Sequence, residues 1–262
     1  MNILVVGGCG FLGSHTADRL IKLGHEVVIL DNLDPKVHGD GSKQQTYISN
    51  NTTFVMGDIR SKNDWISVLR NIDIIFHFAA HQDYMNNFSK FFDTNATGTA
   101  LLYEILVEKK LKPHVIIASS QAVYGEARYE CYQCKKIFQI NARTLKDLYR
   151  CYWYHLCLFC QNGARPRQSD ENGIMPLNMY AVSKATQEMI GYRLGNLYNI
   201  PTTILRYSIV QGPRQSFYNF YSGLCRIACV NAIKGKTTTI YEDGQQLRDY
   251  VNIEDVVDAN IL

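Results

Sequence analysis

The run of glycines between residues 7 and 13 narrows what this chain can fold into more than any other feature. Met1 to Val6 ends in the apolar stretch Ile3-Leu4-Val5-Val6, too short for a helix. Gly7-Gly8-Cys9-Gly10-Phe11-Leu12-Gly13 follows at once, so the stretch reads as a buried strand entering a tight turn. Ser14 to Leu23 places Ala17, Leu20, Ile21 and Leu23 roughly on one face of a helix, and Gly24 stops it. Glu26-Val27-Val28-Ile29-Leu30 is then a second buried strand closing on Asp31, which completes a βαβ unit. In such a unit Gly7, Gly10 and Gly13 divide three tasks: permitting the turn, letting backbone N–H groups approach a pyrophosphate, and letting helix and strand pack closely. The acid after the second strand accepts hydrogen bonds from a ribose and repels a 2′-phosphate, so Asp31 argues for NAD over NADP. The competing reading is a turn with no ligand. Strand, helix, second strand and acid in one register argue against it.

Downstream the alternation continues. Asn32 to Asn51 is a polar loop with one helical turn, and Thr53 to Ile59 is a third strand. There Asp58 and the Ile59 N–H can meet an adenine edge, or Asp58 is a plain strand-end acid. Asp64 to Asn71 is a short helix, and Ile72 to Ala80 is a buried strand whose small end, Phe78-Ala79-Ala80, suits close passage of a cofactor. His77 is expected to pack in that strand rather than ligate a metal. Phe88 to Lys110 reads as one long helix carrying Asn95, and His114 to Ser119 as a strand opening onto Ser120-Gln121-Ala122-Val123-Tyr124-Gly125. Past residue 173, Asn178 to Tyr198 is a helix, Thr202 to Tyr207 a strand and Gly212-Pro213-Arg214 a turn. Phe217 to Lys234 is a helical segment, Thr237 to Tyr241 a further strand, and Glu254 to Leu262 a last helix. Continuous buried runs alternating with helices predict a doubly wound α/β fold, a parallel sheet of the Rossmann kind covered on both faces. The expected organisation is an NAD-binding domain at 1–210 with an inserted module at 126–173, followed by a partial substrate-binding region at 211–262 holding the last strand and helix.

At 262 residues there is room for one large α/β domain with a smaller appendage. A net charge of +3 without runs gives no electrostatic reason to expect nucleic acid or a membrane as partner. The first apolar stretch is too short for a cleavable signal and nothing approaches a membrane-spanning length, so the cytoplasm is the expected compartment. Eight cysteines there should be reduced unless they bind metal. Cys131-Tyr132-Gln133-Cys134 and Cys157-Leu158-Phe159-Cys160 are two Cys-x-x-Cys knuckles, and two such pairs fill all four positions of a structural zinc site. The alternative is a reduced, metal-free insertion. Cys9, Cys151, Cys225 and Cys229 read as buried or incidental.

Tyr180 and Lys184 stand four apart on a predicted helix, hence on one face, where an ammonium can lower the phenol pKa. Such a phenolate can take a proton from an alcohol while hydride leaves the same carbon. Tyr132 and Lys136 have the same spacing inside a cysteine knuckle, without a strand end beside them. Ser120, at the carboxyl end of the fifth strand, can hold the reacting oxygen near Tyr180, or can simply satisfy local backbone.

These motifs, with Asp31-Asn32, Asp58-Ile59, Arg206-Tyr207, Gly212-Pro213-Arg214 and Arg248-Asp249-Tyr250, stand in the order found in the extended short-chain dehydrogenase/reductases that act on sugar nucleotides. Outside the insertion the chain resembles the NAD-dependent epimerase/dehydratase branch, most of all its nucleotide-sugar 4-epimerases of the dTDP-L-rhamnose and UDP-glucose types. The resemblance implies Tyr180 as acid/base, Lys184 as the group that lowers its pKa and holds the nicotinamide ribose, and Ser120 as the third catalytic residue. It places Gly7, Gly10, Phe11, Leu12 and Gly13 at the cofactor, Asp31 and Asn32 on the adenosine ribose, and Asp58 and Ile59 on the adenine. Phe78, Ala79, Ala80, Asn95 and Tyr207 would line the rest of that site. Gln121, Arg214 and Arg248 face the substrate in this reading, the arginines on its diphosphate.

The 4,6-dehydratases carry an acidic pair directly after the catalytic hydroxyl residue, where this chain has Gln121 and Ala122. Elimination of water then lacks its acid and base, whereas epimerisation needs neither. The resemblance therefore implies a 4-epimerase acting on a dTDP- or UDP-sugar through a transient 4-keto intermediate. Family members continue well past the helix at Glu254, so part of the substrate region is expected to be missing. The rivals are a dehydratase or oxidoreductase, and a truncated, non-catalytic NAD-binding protein. If the chain dimerises as the family does, Phe88 to Lys110 and Asn178 to Tyr198 form the interface.

Overall fold

The computed structural model describes residues 1–39, 47–126, 128–218, 221 and 223–262. β1 (Asn2–Val6), α1 (Phe11–Lys22) and β2 (Glu26–Asp31) form the expected opening unit. The helical turn in the next loop is α2 (Pro35–His38), capped by Asp34, whose Oδ1 accepts from Lys36 N at 2.9 Å. β3 (Thr52–Met56) follows, then α3 (Lys62–Val68), which starts two residues before the expected Asp64 because Ser61 caps it, and β4 (Ile74–His77). The long helix is interrupted. It runs as α4 (Phe88–Phe91), a π-helical stretch at Phe92–Thr97 holding Asn95, and α5 (Gly98–Glu108). β5 (His114–Ser120) then opens into a 3₁₀ turn, Gln121–Tyr124.

The six-stranded sheet has the order β3-β2-β1-β4-β5-β9, all parallel, where β9 is Thr202–Tyr207. Successive residues of each strand enter opposite faces. Leu4, Val6, Leu30 and Ile75 pack with Trp65, Leu102, Tyr103 and Leu106 on one side, while Ile3, Val5, Ile29 and Phe76 pack with Ala17 and Leu20 of α1 on the other. Both faces being covered explains why the strands read as unbroken apolar runs. The chain leaves β1 toward β2 and β3, then returns to β4 on the other side. The carboxyl ends of β1 and β4 are thus the switch point where ligands of such sheets bind.

Between β5 and β9 lie β6 (Arg128–Cys131), β7 (Ile137–Gln139), α6 (Leu145–Tyr149), β8 (Ala164–Arg167) and α7 (Met179–Tyr198). The three strands make a small antiparallel sheet of order β7-β6-β8, separate from the main one. α7 begins on an Asn178 cap and ends on Asn199 in the left-handed region at φ 53°.

After β9 come β10 (Ile209–Gln211), α8 (Leu224–Ile233), β11 (Tyr250–Asn252) and α9 (Ile253–Ile261). Two expectations fail here. Helix forms only from Leu224 rather than Phe217, and residues 219, 220 and 222 of the expected span lie outside the described residues. Thr237 to Tyr241 is no strand: it pairs with no described strand, and Ile240 and Tyr241 are 72% and 77% exposed. β11 pairs with β10 instead, as a two-stranded parallel ribbon. α9 lies on α1, where Asn260 Nδ2 donates to Thr16 Oγ1 at 3.1 Å and Arg19 meets Glu254 and Asp258. No described helix is long and apolar enough to cross a membrane.

Candidate active site

A cavity of about 510 Å³ opens at the carboxyl ends of the central strands. Its floor is the glycine turn. Gly7 sits at φ +76°, and a Cβ there would lie 2.7 Å from Ala79 N, so only glycine lets β1 and the end of β4 approach this closely. A Cβ on Gly13 would lie 2.3 Å from Gly7 O, so the first turn of α1 rests directly on the loop. α1 begins at Gly10 with no side-chain cap, and Gly10, Phe11, Leu12 and Gly13 face the cavity. Its uncapped N–H groups and dipole suit a pyrophosphate.

Asp31 is held ready at the end of β2. Oδ2 accepts from Cys9 N and Oδ1 from Leu33 N, each at 2.9 Å, and the side chain is largely buried. Asn32 lies beside it and donates from Nδ2 to Asp58 Oδ2 at 3.1 Å. Arg60 grips Asp58 through Nε–Oδ1 at 2.9 Å and Nη2–Oδ2 at 2.7 Å, and these bonds hold the carboxyl down at about 2. Ile59, Phe78, Ala79 and Ala80 complete this wall.

At the other end stand Ser120, Tyr180 and Lys184, brought to one cavity from β5 and α7. Ser120 Oγ accepts from Ala122 N at 3.1 Å. Burial pushes the Tyr180 phenol up to about 12, with the Ser120 hydroxyl pulling it down. Burial likewise lowers Lys184 to about 7, against the raising field of Glu188. Tyr207 also lines the cavity, its hydroxyl bonded to Asn260.

Asn95 does not line the cavity. It is fully buried, with Oδ1 accepting from His81 N at 2.7 Å and Nδ2 donating to His81 O at 3.0 Å and Ser183 Oγ at 2.9 Å. It lies in the π-helical stretch, and these bonds brace the wall. Arg248 also falls outside: it is exposed, with Nη1 on Leu247 O at 2.7 Å. Gln121 lines the cavity and accepts from Ser208 Oγ at 3.3 Å. Arg214 lines it too, anchored by Asp18 at 2.7 Å and lying over the Tyr47 ring. Its buried Nη1 has no partner among the described residues.

The sequence assigned no role to two residues at or beside the site. His38 lines the cavity with Nε2 3.6 Å from Asp31 Oδ1. Arg206 pairs bidentately with Glu188, at 2.8 Å twice, and lies over the Tyr124 ring beside Ser120's turn. The spacing of Lys184 and Glu188, one helical turn apart, was the available signal. Nothing in the pattern of the loop pointed to His38.

In the inserted module the four knuckle sulfurs, of Cys131, Cys134, Cys157 and Cys160, lie within 4.8 Å of one another. Two separations are 3.4 and 3.6 Å. A tetrahedral ion with bonds of about 2.3 Å to sulfur needs edges of about 3.8 Å, so the donor set fits one. Backbone N–H groups of Gln133, Cys134 and Phe159 already point at the sulfurs, at 3.3, 3.3 and 3.4 Å. Cys9 is buried, and burial with Asp31's charge raises its thiol to about 12, which leaves it inert.

The profile of the NAD dependent epimerase/dehydratase family matches residues 3–141 and 157–262. The chain belongs to that family. The unmatched gap falls between the two cysteine knuckles, inside the module whose sheet stands apart from the main one. Among members of the family, the dTDP-L-rhamnose 4-epimerase of Burkholderia thailandensis is 29% identical over 263 residues, 98% of this chain and 71% of that protein. The Thermotoga maritima UDP-glucose 4-epimerase, solved with UDP-glucose, superposes with a TM-score of 0.75 at 27% identity, over 100% of this chain and 72% of that one. The Thermus thermophilus UDP-glucose 4-epimerase, solved with NAD, gives 0.75 at 26% identity, over 100% and 73%.

Proposed function

We propose that the chain is an NAD-dependent nucleotide-sugar 4-epimerase. The observation that carries this reading is the meeting of Ser120, Tyr180 and Lys184 with the uncapped start of α1 and the oriented carboxylate of Asp31 in one cavity. Both structural relatives named above are 4-epimerases, and one was solved with NAD. When bound, NAD+ supplies a hydride acceptor that can give the hydride back within the same turnover. The chain's own residues do the rest. Ser120 holds the C4 hydroxyl of the sugar, and Tyr180 takes its proton as C4 becomes a ketone, then returns it after the ketone has turned over. Left alone, burial would keep the phenol protonated, so Lys184 must lie on the site as an ammonium to stabilise the phenolate. Gln121 and Ala122 supply no carboxylate after Ser120, which favours epimerisation over loss of water. Arg214 offers to a phosphate its Nη1, which has no partner among the described residues.

The same reading divides the chain into an NAD-binding domain at 1–210, a module at 126–173 and a substrate-binding region at 211–262. It takes the module's four cysteines as a structural zinc site, which the sulfur geometry supports. It takes the molecule as a cytoplasmic homodimer through Phe88 to Lys110 and Asn178 to Tyr198, supported by Met189, Tyr192 and Leu197, each more than half exposed on α7.

The test is incubation of the purified chain with a panel of UDP- and dTDP-sugars without added cofactor. A C4-inverted product is expected. Retained NAD with no inversion of any sugar would leave a non-catalytic NAD-binding protein.

A further inference from the structure

Lys184 is embedded in a buried polar layer between α7, β4 and α5. It is 2% exposed, and its Nζ donates to Gln187 Oε1 at 2.5 Å. Gln187 is fully buried and turns its other end to Thr99, with Nε2 donating to Thr99 Oγ1 at 2.7 Å. That hydroxyl uses its single proton on Asn95 O, at 2.8 Å, so toward its remaining neighbours it can only accept. It accepts from Gln187 and from His77 Nε2, 3.1 Å away.

This directionality leaves the amide one orientation. With its NH₂ held by an acceptor, the Gln187 carbonyl must face Lys184. The same logic makes His77 the Nε2–H tautomer, with Nδ1 bare, and Nδ1 is the ring atom that lacks a partner among the described residues. Burial, and then the charge of Lys184, lower His77 to about 3, so the ring is neutral.

We propose that Gln187 is a positioning residue that aims Lys184 and keeps it an ammonium. The proposal rests on the reading of Tyr180 and Lys184 as the catalytic pair. Every group packed against the amine bears on its charge. On α7 these are Gln187, by hydrogen bond, and Glu188; from β4 it is neutral His77; the uncharged Thr99 of α5 and Asn95 before it lie behind Gln187. Glu188 is the one carboxylate among them, and its oxygens are already engaged by Arg206 and Ser119. The field of Glu188 raises the amine's pKa from a distance, and the direct contact that offsets burial of the ammonium is the Gln187 carbonyl, since an acceptor for the charged form favours that form.

The experiment follows the Lys184 side chain in the full chain labelled with ¹³C at lysine Cε, its resonance assigned by its loss in Lys184→Arg. Gln187→Glu, which keeps size and shape, should raise the Lys184 titration midpoint by about 1 unit or more. Gln187→Leu should lower it by a similar amount. The alkaline limb of kcat/KM should move with it in each variant. An unmoved midpoint, or movement of both variants in the same direction, would overturn the proposal. If only Gln187→Glu folds, its upward shift still decides. Opposed shifts in a chain that epimerises no sugar would leave Gln187's control of Lys184 standing and defeat the catalytic reading alone.

Discussion

Asn95 Nδ2 donates to Ser183 Oγ at 2.9 Å, and Ser183 Oγ in turn donates to the backbone oxygen of Tyr180 at 2.7 Å. The π-helical stretch is thereby tied to the first turns of α7, and His81 on the cavity wall is tied to both. Asn95→Ala leaves the buried His81 N–H and C=O without partners and removes the donor to Ser183 Oγ. It should cost about 3 kcal/mol of stability in urea unfolding. A variant as stable as the parent would show that the brace contributes little.

Tyr180→Phe removes one hydroxyl at the point where a proton must move. Turnover should fall by about 10²- to 10⁴-fold, while NAD affinity, followed by fluorescence, stays close to the parent's. Retained turnover would take Tyr180 out of the chemistry.

Asp58 carries a pH dependence with a definite sign. Arg60's hydrogen bonds hold the carboxyl at about 2, below its ordinary 3.8, so the pair stabilises the fold at neutral pH. The contribution is lost as the pH falls from about 4 toward 2. Because Arg60 is 41% exposed, solvent screening leaves about 1 kcal/mol. Asp58→Asn should therefore be less stable than the parent at pH 7 and equal to it near pH 2, read from urea midpoints across that range.

Metal analysis of the purified chain should find about one zinc per chain. Cys134→Ser should lose most of it and lower the Tm. Chelation should act on the parent in the same direction. A folded chain that holds no metal would leave the reduced insertion as the correct description.

Gly13→Ala would push a Cβ to 2.3 Å from Gly7 O and 2.6 Å from Gly8 Cα, both backbone atoms that cannot swing aside. The expected cost is about 3 kcal/mol or more. Loss of NAD binding is expected with it, since the turn and the start of α1 must separate. An unchanged Tm would contradict the close packing.

The opening βαβ unit, the alternation of strands and helices and the Ser120, Tyr180 and Lys184 positions were legible in sequence because each rests on local spacing. A glycine turn, a buried run and a one-turn interval are properties of a few neighbouring residues. Asn95 packs behind the cavity wall from a π-helical stretch that the helical pattern of the sequence does not foretell. Thr237 to Tyr241 misled because strand propensity has no effect without an edge to pair with. Arg248, assigned to the substrate from its motif, stands exposed and outside the cavity lining, a placement that local sequence does not determine.

Chain order and residue type by themselves determined a parallel, doubly covered sheet with a dinucleotide turn, and brought four cysteines into two knuckles. Only the tertiary structure decided which amide faces Lys184, which nitrogen of His77 carries its proton and which arginine in the cavity has a donor unpartnered among the described residues. Those outcomes depend on hydrogen bonds among residues far apart in the chain. Burial makes each of them directional, because a polar group cut off from water must find its partner within the protein.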